Sequence, residues 1–389
     1  MSQPNQQPQP APPEDIIYPA TVPFLLVHLA ALAAIWTGVT TEALVLAVVL
    51  YVVRMFGVTA GYHRYFSHRS FHTGRIGQFL LAFLAQTSAQ RGILWWAAKH
   101  RHHHRYSDTP EDVHSPRHHG FWYSHLGWIF TARHGSVDYD DVPDLARYPE
   151  LRFLDRHPYL PATILGAVVW LWLGWPGVVV GFVWSTVALY HGTFAINSMA
   201  HQLGNQRYVT GDDSRNNWLL ALVTLGEGWH NNHHAYQSST RQGFRWWEID
   251  VTYYVLVMLS WTKAVGDLRS PPPVVVQGRQ RLGRNVLEKV SRQLAASFPL
   301  ERISHEVHAA LDRTPNLEEL KARAAGARAQ AEAFLADLEL PQVPSLDEIR
   351  ERAHEMFAST PSLDDIAERA RELLLEKLVL HLELQPQGA

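Results

Sequence analysis

From His157 to Gln206 the chain runs for 50 residues without one Asp, Glu, Lys or Arg. At ~1.5 Å per residue and about 20 residues per crossing, that run is too long for one membrane helix and fits two. Gly174-Trp175-Pro176-Gly177 interrupts it with turn-forming residues. A second apolar stretch, Ile16 to Val53, holds a single charged residue, Glu42. The pattern predicts two helical hairpins, 22–39 with 43–60 and 162–175 with 177–199. A buried core helix is the alternative for any one of these segments. The 50-residue uncharged run argues against it.

Orientation follows from the cations. The loops inside both hairpins carry no Lys or Arg, whereas residues 54–156 carry 13. Arg207, Arg215, Arg241 and Arg245 follow the second hairpin. The positive-inside rule then places the long segments after each hairpin, and both termini, on the cytoplasmic side. Residues 1–20 are rich in Pro and Gln and read as a disordered lead. No basic region precedes the first span, so no cleaved signal peptide is expected. Residues 214–228 and 246–262 are apolar but interrupted, and read as re-entrant or interfacial helices.

All 14 Trp and all 14 Tyr precede residue 262, whereas residues 275–389 hold 15 Lys/Arg and 19 Asp/Glu. The break falls at Pro271-Pro272-Pro273, a run that cannot continue a helix. The expected organisation is a disordered lead (1–20), a membrane domain (21–270) and a charged helical extension (271–389) of unknown role. Three segments of the extension share a helix-start pattern: Thr314-Pro315-Asn316-Leu317, Val343-Pro344-Ser345-Leu346 and Thr360-Pro361-Ser362-Leu363. Thr is expected at the cap and Pro at the first helical position. The expected fold is an all-α integral membrane protein. It has four transmembrane helices in two hairpins, a cytosolic helical cap holding a metal site, and a C-terminal amphipathic helical tail.

The absence of Cys excludes thiolate zinc sites, iron–sulfur clusters and a cysteine nucleophile. A net charge of -3 gives no basic face for nucleic acid, and no nucleic-acid partner is expected. The chemistry must come from the 23 His, of which 18 lie between His63 and His234. They form spaced groups: His63 and His68; His100, His103 and His104; His201; and His230, His233 and His234. In H-x-x-H-H the residues are i, i+3 and i+4, which a helix puts on one face. In H-x-x-x-x-H the pair is about 140° apart on an α-helix and suits a helix end better. Every group follows a predicted cytoplasmic span end, so topology places all four on one side of the membrane. Neutral imidazole is a ligand for zinc, copper, iron or nickel. Nine convergent His are too many for one ion and suit two. His72, His114, His118, His119, His125, His134, His157 and His191 read as structural or supporting, and His102 lies off the shared face.

These boxes resemble those of the membrane acyl-CoA desaturases, the stearoyl-CoA Δ9-desaturase family. The likeness covers about residues 20–262. It includes H-x-x-x-x-H, H-x-x-H-H, Asn197-Ser198-Met199-Ala200-His201 and Glu227-Gly228-Trp229-His230-Asn231-Asn232-His233-His234, in that order. Phe121-Trp122-Tyr123-Ser124-His125 is also similar to the segment after the family's second box. The resemblance implies two iron ions held by His63, His68, His100, His103, His104, His201, His230, His233 and His234, with Asn197 holding a metal-bound water. It implies O2-dependent insertion of a cis double bond, Δ9 by family expectation, into a saturated acyl chain. Trp95, Trp96 and Trp229 are candidates to line an apolar substrate tunnel, with interfacial anchoring as their plainer role. Animal members carry an Arg-Asp pair where this chain has Ala98 and Lys99. That difference falls at positions associated with the CoA headgroup and counts against it; the resemblance as a whole still puts acyl-CoA first as the expected substrate, followed by lipid-bound or carrier-protein-bound acyl chains. With no H-P-G-G haem motif and no Cys, electrons are expected from a separate donor such as a ferredoxin or a cytochrome b5-type protein.

Three rivals remain. A carboxylate diiron bundle needs paired E-x-x-H motifs, which Glu227/His230 and Glu351/His354 match in spacing. A membrane hydroxylase shares the His-box chemistry, although its first box more often has three intervening residues. A metal transporter would place ligands inside the spans, where only His28 and His191 are available.

Overall fold

The structure is a computed structural model that describes residues 22–131, 135–311, 343–357 and 360–384. The expected N-terminal lead, His134 and the Thr314–Leu317 helix start lie outside these residues. The chain forms two compact units. One contains the chain up to Arg207 together with Asp212–Pro272; the other contains Tyr208–Gly211 and the segment from Pro273 on.

The first unit is helical. Its only strands among the described residues are His72–Thr73 and Val265–Gly266, paired antiparallel. Val22–Ala31 leads through a turn to Ala34–Thr37. Thr40 then caps the next helix by accepting from the Ala43 N–H at 3.2 Å. That helix, Thr41–Ser67, is 27 residues long, about 40 Å at the α-helical rise. The uncharged run forms Leu160–His201, broken at Gly174. There φ is 60° and ψ is -153°, a conformation that a side chain would obstruct. By length and apolarity, Thr41–Ser67 and Leu160–His201 can cross a membrane; Val22–Thr37 and Val251–Trp261 are shorter apolar helices. Leu26, Leu29, Trp36, Val45, Val48, Leu171 and Trp172 turn outward and exposed. An exposed apolar surface of that extent marks a face that meets a membrane or another protein. Residues 214–228 and 246–262 fold in part as the helices Trp218–Val223 and Val251–Trp261.

Thr41–Ser67 winds as an α-helix to Phe56 and as a π-helix from Gly57 to Ser67. Its lower half is buried throughout. Met55, Val58, Tyr62 and Phe66 pack with Ile93, Leu94 and Ala97 of the helix Ile93–Tyr106, and with Leu151 and Leu154 of Pro149–Arg156. Asp155 accepts from the Leu94 and Trp95 N–H groups at 2.9 and 3.0 Å, so one helix caps the start of another. Arg64 is fully buried and reaches Glu227 at 3.0 Å, Asp250 at 2.9 Å and the Thr240 carbonyl at 2.8 Å. Asp250 in turn caps Val251–Trp261 through the Tyr253 N–H.

The second unit packs Arg284–Ala296, Leu346–Phe357 and Leu363–Leu384 around Val290, Leu294, Ile349, Ala353, Ile366, Ala370 and Leu374. The spacing of these residues is that of amphipathic helices. The expected caps are corrected by two positions in each described helix. Helices begin at Leu346 and Leu363, after Ser345 and Ser362, so each Pro lies outside the helix. Ser345 and Glu348 exchange bonds as a capping box, which supplies the backbone partners that Pro at the first position would not.

Arg64→Met should cost about 3–5 kcal/mol, because it strands two buried carboxylates. Thermal unfolding in detergent would show it as a lowered Tm. Arg64→Lys should recover only part, since one ammonium cannot replace the guanidinium fork.

Candidate metal centre

The first box solves its spacing problem by changing helix type. In the π-wound segment the His68 N–H donates to the His63 carbonyl at 3.2 Å, an i→i+5 bond. This winding stacks residue i+5 over residue i, so His63 and His68 share a face that a regular α-helix would deny them. The second box lies on Ile93–Tyr106 at ordinary α-helical spacing. His201 ends a short 3-10 turn, Met199–His201, and the third box forms the helix His230–Ala235.

These elements bring all nine rings together, in two groups. His63, His68, His100, His104 and His233 offer ring nitrogens within 4.8 Å of one another. His103, His201, His230 and His234 do the same. Within the first group, Nε2–Nε2 separations are 3.0 Å (His63–His233), 2.9 Å (His68–His100), 3.0 Å (His100–His104) and 2.9 Å (His104–His233). In the second, His201 and His230 are 3.1 Å apart. Two nitrogens at right angles on an ion, each about 2.1 Å from it, would stand about 3.0 Å apart.

The opposite edges of four rings meet carboxylates. Asp112 holds His103 Nδ1 at 2.9 Å, Asp108 holds His201 Nδ1 at 2.8 Å, Asp212 holds His234 Nδ1 at 2.8 Å, and Glu227 contacts His63 Nδ1. A carboxylate only accepts, so each of these Nδ1 atoms carries the proton, which leaves Nε2 as the ligand atom of the neutral ring. His234 Nε2 is buried without a hydrogen-bond partner, as a ligand atom would be. The residues therefore fit a pair of metal ions. Burial, reinforced by the neighbouring rings, pushes His68, His100, His104, His230 and His233 well below the ordinary imidazole range. They stay neutral, as ligands must. Burial opposes ionisation of Asp108, Asp112 and Asp212, but the paired rings outweigh it and hold these carboxyls below their usual range. Glu227 is lowered in the same way, by His63 and Arg64 against burial.

Asn197, on the helix Ser185–Ser198, lines two cavities that reach the histidines. The larger, about 790 Å³, is walled by Trp95, Trp96, Tyr190, Phe194 and His100; Lys99 also lines it. The smaller, about 470 Å³, adds His63, His103, Glu227 and His230. Trp229 lines neither of these cavities; its indole N–H donates to the Ile249 carbonyl at 2.8 Å. His28, His191 and His125 form a separate hydrogen-bonded row, at 3.2 and 3.1 Å, ending on Ser198. His114 packs between His103 and Trp128.

Sequence reasoning missed the four carboxylates as partners of the rings. Asp108 and Asp112 follow His104 by four and eight residues, a signal that was available. Asp212 offered none. Glu227 had been weighed only as a ligand in the carboxylate-bundle reading. It instead backs His63 and Arg64, and Glu351 and His354 belong to the other compact unit. Asp108→Asn should weaken divalent-metal binding by the four-histidine group about 10–100-fold, because His201 loses the charged group that fixes its tautomer. Chelator competition on the purified protein measures this.

A family model described as fatty acid desaturase matches residues 40–256. Over 255 residues the chain is 38% identical to the acyl-CoA 5-desaturase AL21 of Anemone leveillei, covering 64% of this chain and 78% of that one. It is 36% identical over 262 residues to an sn-1 stearoyl-lipid 9-desaturase of Synechocystis sp., covering 66% and 81%. It is 37% identical over 228 residues to a chloroplastic palmitoyl-monogalactosyldiacylglycerol delta-7 desaturase of Arabidopsis thaliana, covering 57% and 61%. All four histidine boxes fall inside the matched region. The chain belongs to the fatty acid desaturase family and is an oxidoreductase, a fatty acyl desaturase.

Proposed function

We propose that this protein is an O2-dependent desaturase with two iron ions at the histidine centre. His63, His68, His100, His104 and His233 hold one, and His103, His201, His230 and His234 hold the other. The observation that carries this reading is the pair of inward-facing nitrogen groups at ligand spacing. The iron pair, when bound, supplies the O2 reduction and the removal of unactivated hydrogens that no side chain here can perform. In balance, one saturated acyl chain gives up two hydrogens and O2 becomes two waters. Two electrons come from a separate donor, a ferredoxin or a cytochrome b5-type protein, and two protons come from solvent.

The chain's own residues do the rest. Asp108, Asp112, Asp212 and Glu227 keep the rings aimed and in one tautomer. Asn197, at the wall of both cavities, holds a metal-bound water. The aromatic walls of the larger cavity exclude bulk water and hold an extended acyl chain so that one methylene faces the centre. Lys99 on that wall offers a cation to an anionic carrier. This supports acyl-CoA as the substrate, with lipid-bound acyl chains as the alternative. The relatives' names include positions 5, 7 and 9; Δ9 is the position implied by the histidine-box resemblance. Four spans in two hairpins, with the centre on the cytoplasmic side, complete the reading. They rest on the two long apolar helices, the Gly174 break and the distribution of Lys and Arg.

The test is a fatty-acid profile with double-bond positions, in a host that lacks its own aerobic desaturase and supplies a donor system. The wild-type chain should yield a new cis-monoene, and His233→Ala should yield none at equal expression. A hydroxylated acyl chain would replace this reading with the hydroxylase, and an active His233→Ala would overturn the ligand set.

A further inference from the structure

The second compact unit is more than the C-terminal chain. It also takes in Tyr208–Gly211, four residues from the middle of the catalytic region. Val209 packs on the core built by Val290, Leu294 and Ile366. The Tyr208 hydroxyl donates to the Val276 carbonyl at 3.0 Å, and the Gln293 amide donates to the Gly211 carbonyl at 3.0 Å. Gly211 has φ +77°, and a Cβ placed there would lie 3.0 Å from the Lys289 Cβ. The helix Arg284–Ala296 therefore seats on a position where only glycine fits.

The residues flanking this loop lead to the metal centre. On one side, the Arg207 N–H donates to the Asn231 side chain at 2.7 Å, inside the third box. On the other side, Asp212 holds His234 Nδ1 at 2.8 Å. The Asp213 N–H donates at 2.8 Å to Asp108 Oδ2, the oxygen that holds His201 Nδ1. His234 and His201 both belong to the four-histidine group. None of these contacts touches a ring of the five-histidine group.

We propose that the C-terminal unit positions the four-histidine metal site, by gripping 208–211 and so fixing where the chain delivers Asp212 and Asp213. This rests on the two-metal reading above. The transmission is covalent. The Cα of Gly211 is one peptide step, about 3.8 Å, from that of Asp212, so the backbone conformation set at Gly211 is passed directly to Asp212. A metal constellation tolerates about 0.5 Å of misplacement before it loosens. Val209, Tyr208 and Gln293 are positioning residues, acting on the centre through the loop that they hold. The extension thereby gains a role that its composition does not announce: it sets the affinity of one metal position without contributing a ligand.

The experiment uses the full-length chain in detergent, loaded with Fe(II) without oxygen and then exposed to a chelator. Iron per chain is followed in time, and Mössbauer spectra report whether the remaining iron is coupled to a partner. Wild type should retain two irons. Gly211→Val should release one of them about 10-fold faster, the lower end of what losing an outer carboxylate costs. The other should leave at the wild-type rate, as a lone uncoupled ion. Gln293→Ala, which removes one hydrogen bond worth about 1 kcal/mol, should give the same selective loss at about fivefold. It decides the matter alone if Gly211→Val fails to fold. Release of both irons at wild-type rates, or acceleration of both together, would overturn the proposal. A wild-type chain that binds fewer than two irons would instead sink the two-metal reading, and the positioning role with it.

Discussion

Everything about the centre depends on imidazoles whose outer nitrogens are tied to buried carboxylates. Asp108, Asp112, Asp212 and Glu227 each spend a charge in the interior on one ring. In doing so they choose the tautomer that turns a lone pair inward. Without them these four rings would lose the partners that fix their orientation. With them, each of the four turns Nε2 toward the interior, as a metal-ligating ring does. The same contacts join distant parts of the chain. Asp108 links the second box to His201, Glu227 links the third box to the first, and Arg64 extends that link to Asp250.

The long apolar helices serve this arrangement by not ending where apolarity ends. Thr41–Ser67 passes from a half with exposed Val45 and Val48 into a fully buried half that carries His63 and His68. The π-winding of Gly57–Ser67 costs hydrogen-bond quality, and packing of Tyr62, Tyr65 and Phe66 in the core offsets it. Gly61 allows the close approach: a Cβ there would lie 3.1 Å from that of Ala85. The first box is thus an extension of the helix scaffold, which holds His63 and His68 on buried backbone.

The two halves of the molecule were unequally legible. The break at Gly174 was readable because glycine and proline interrupt an otherwise uniform apolar run. The second box was readable because i, i+3, i+4 is a helical face whatever surrounds it. The first box was only half readable. H-x-x-x-x-H announced a pair, yet its geometry depends on a helix type that no local propensity encodes. The capping residues of the extension were misplaced by two positions, since Pro and Ser are both good helix starters and only the hydrogen-bond partner decides between them. Trp229 illustrates the limit for tunnel residues: an aromatic next to a ligand can as well turn its indole to a backbone carbonyl.

By itself the sequence determined the composition of the candidate site and the pattern of charge and apolarity around it. Nine histidines in four spaced boxes, a 50-residue run without charge and the placement of Lys and Arg are one-dimensional facts, and each has a direct physical meaning. Tertiary structure alone decided how the rings divide into five and four, which carboxylate backs each of four of them, and that Tyr208–Gly211 folds with the C-terminal helices. Those outcomes depend on contacts between residues tens to hundreds of positions apart, such as His63 with His233 and His201 with Asp108. Spacing along a chain constrains the face of a helix, but which faces meet is settled only when the helices pack.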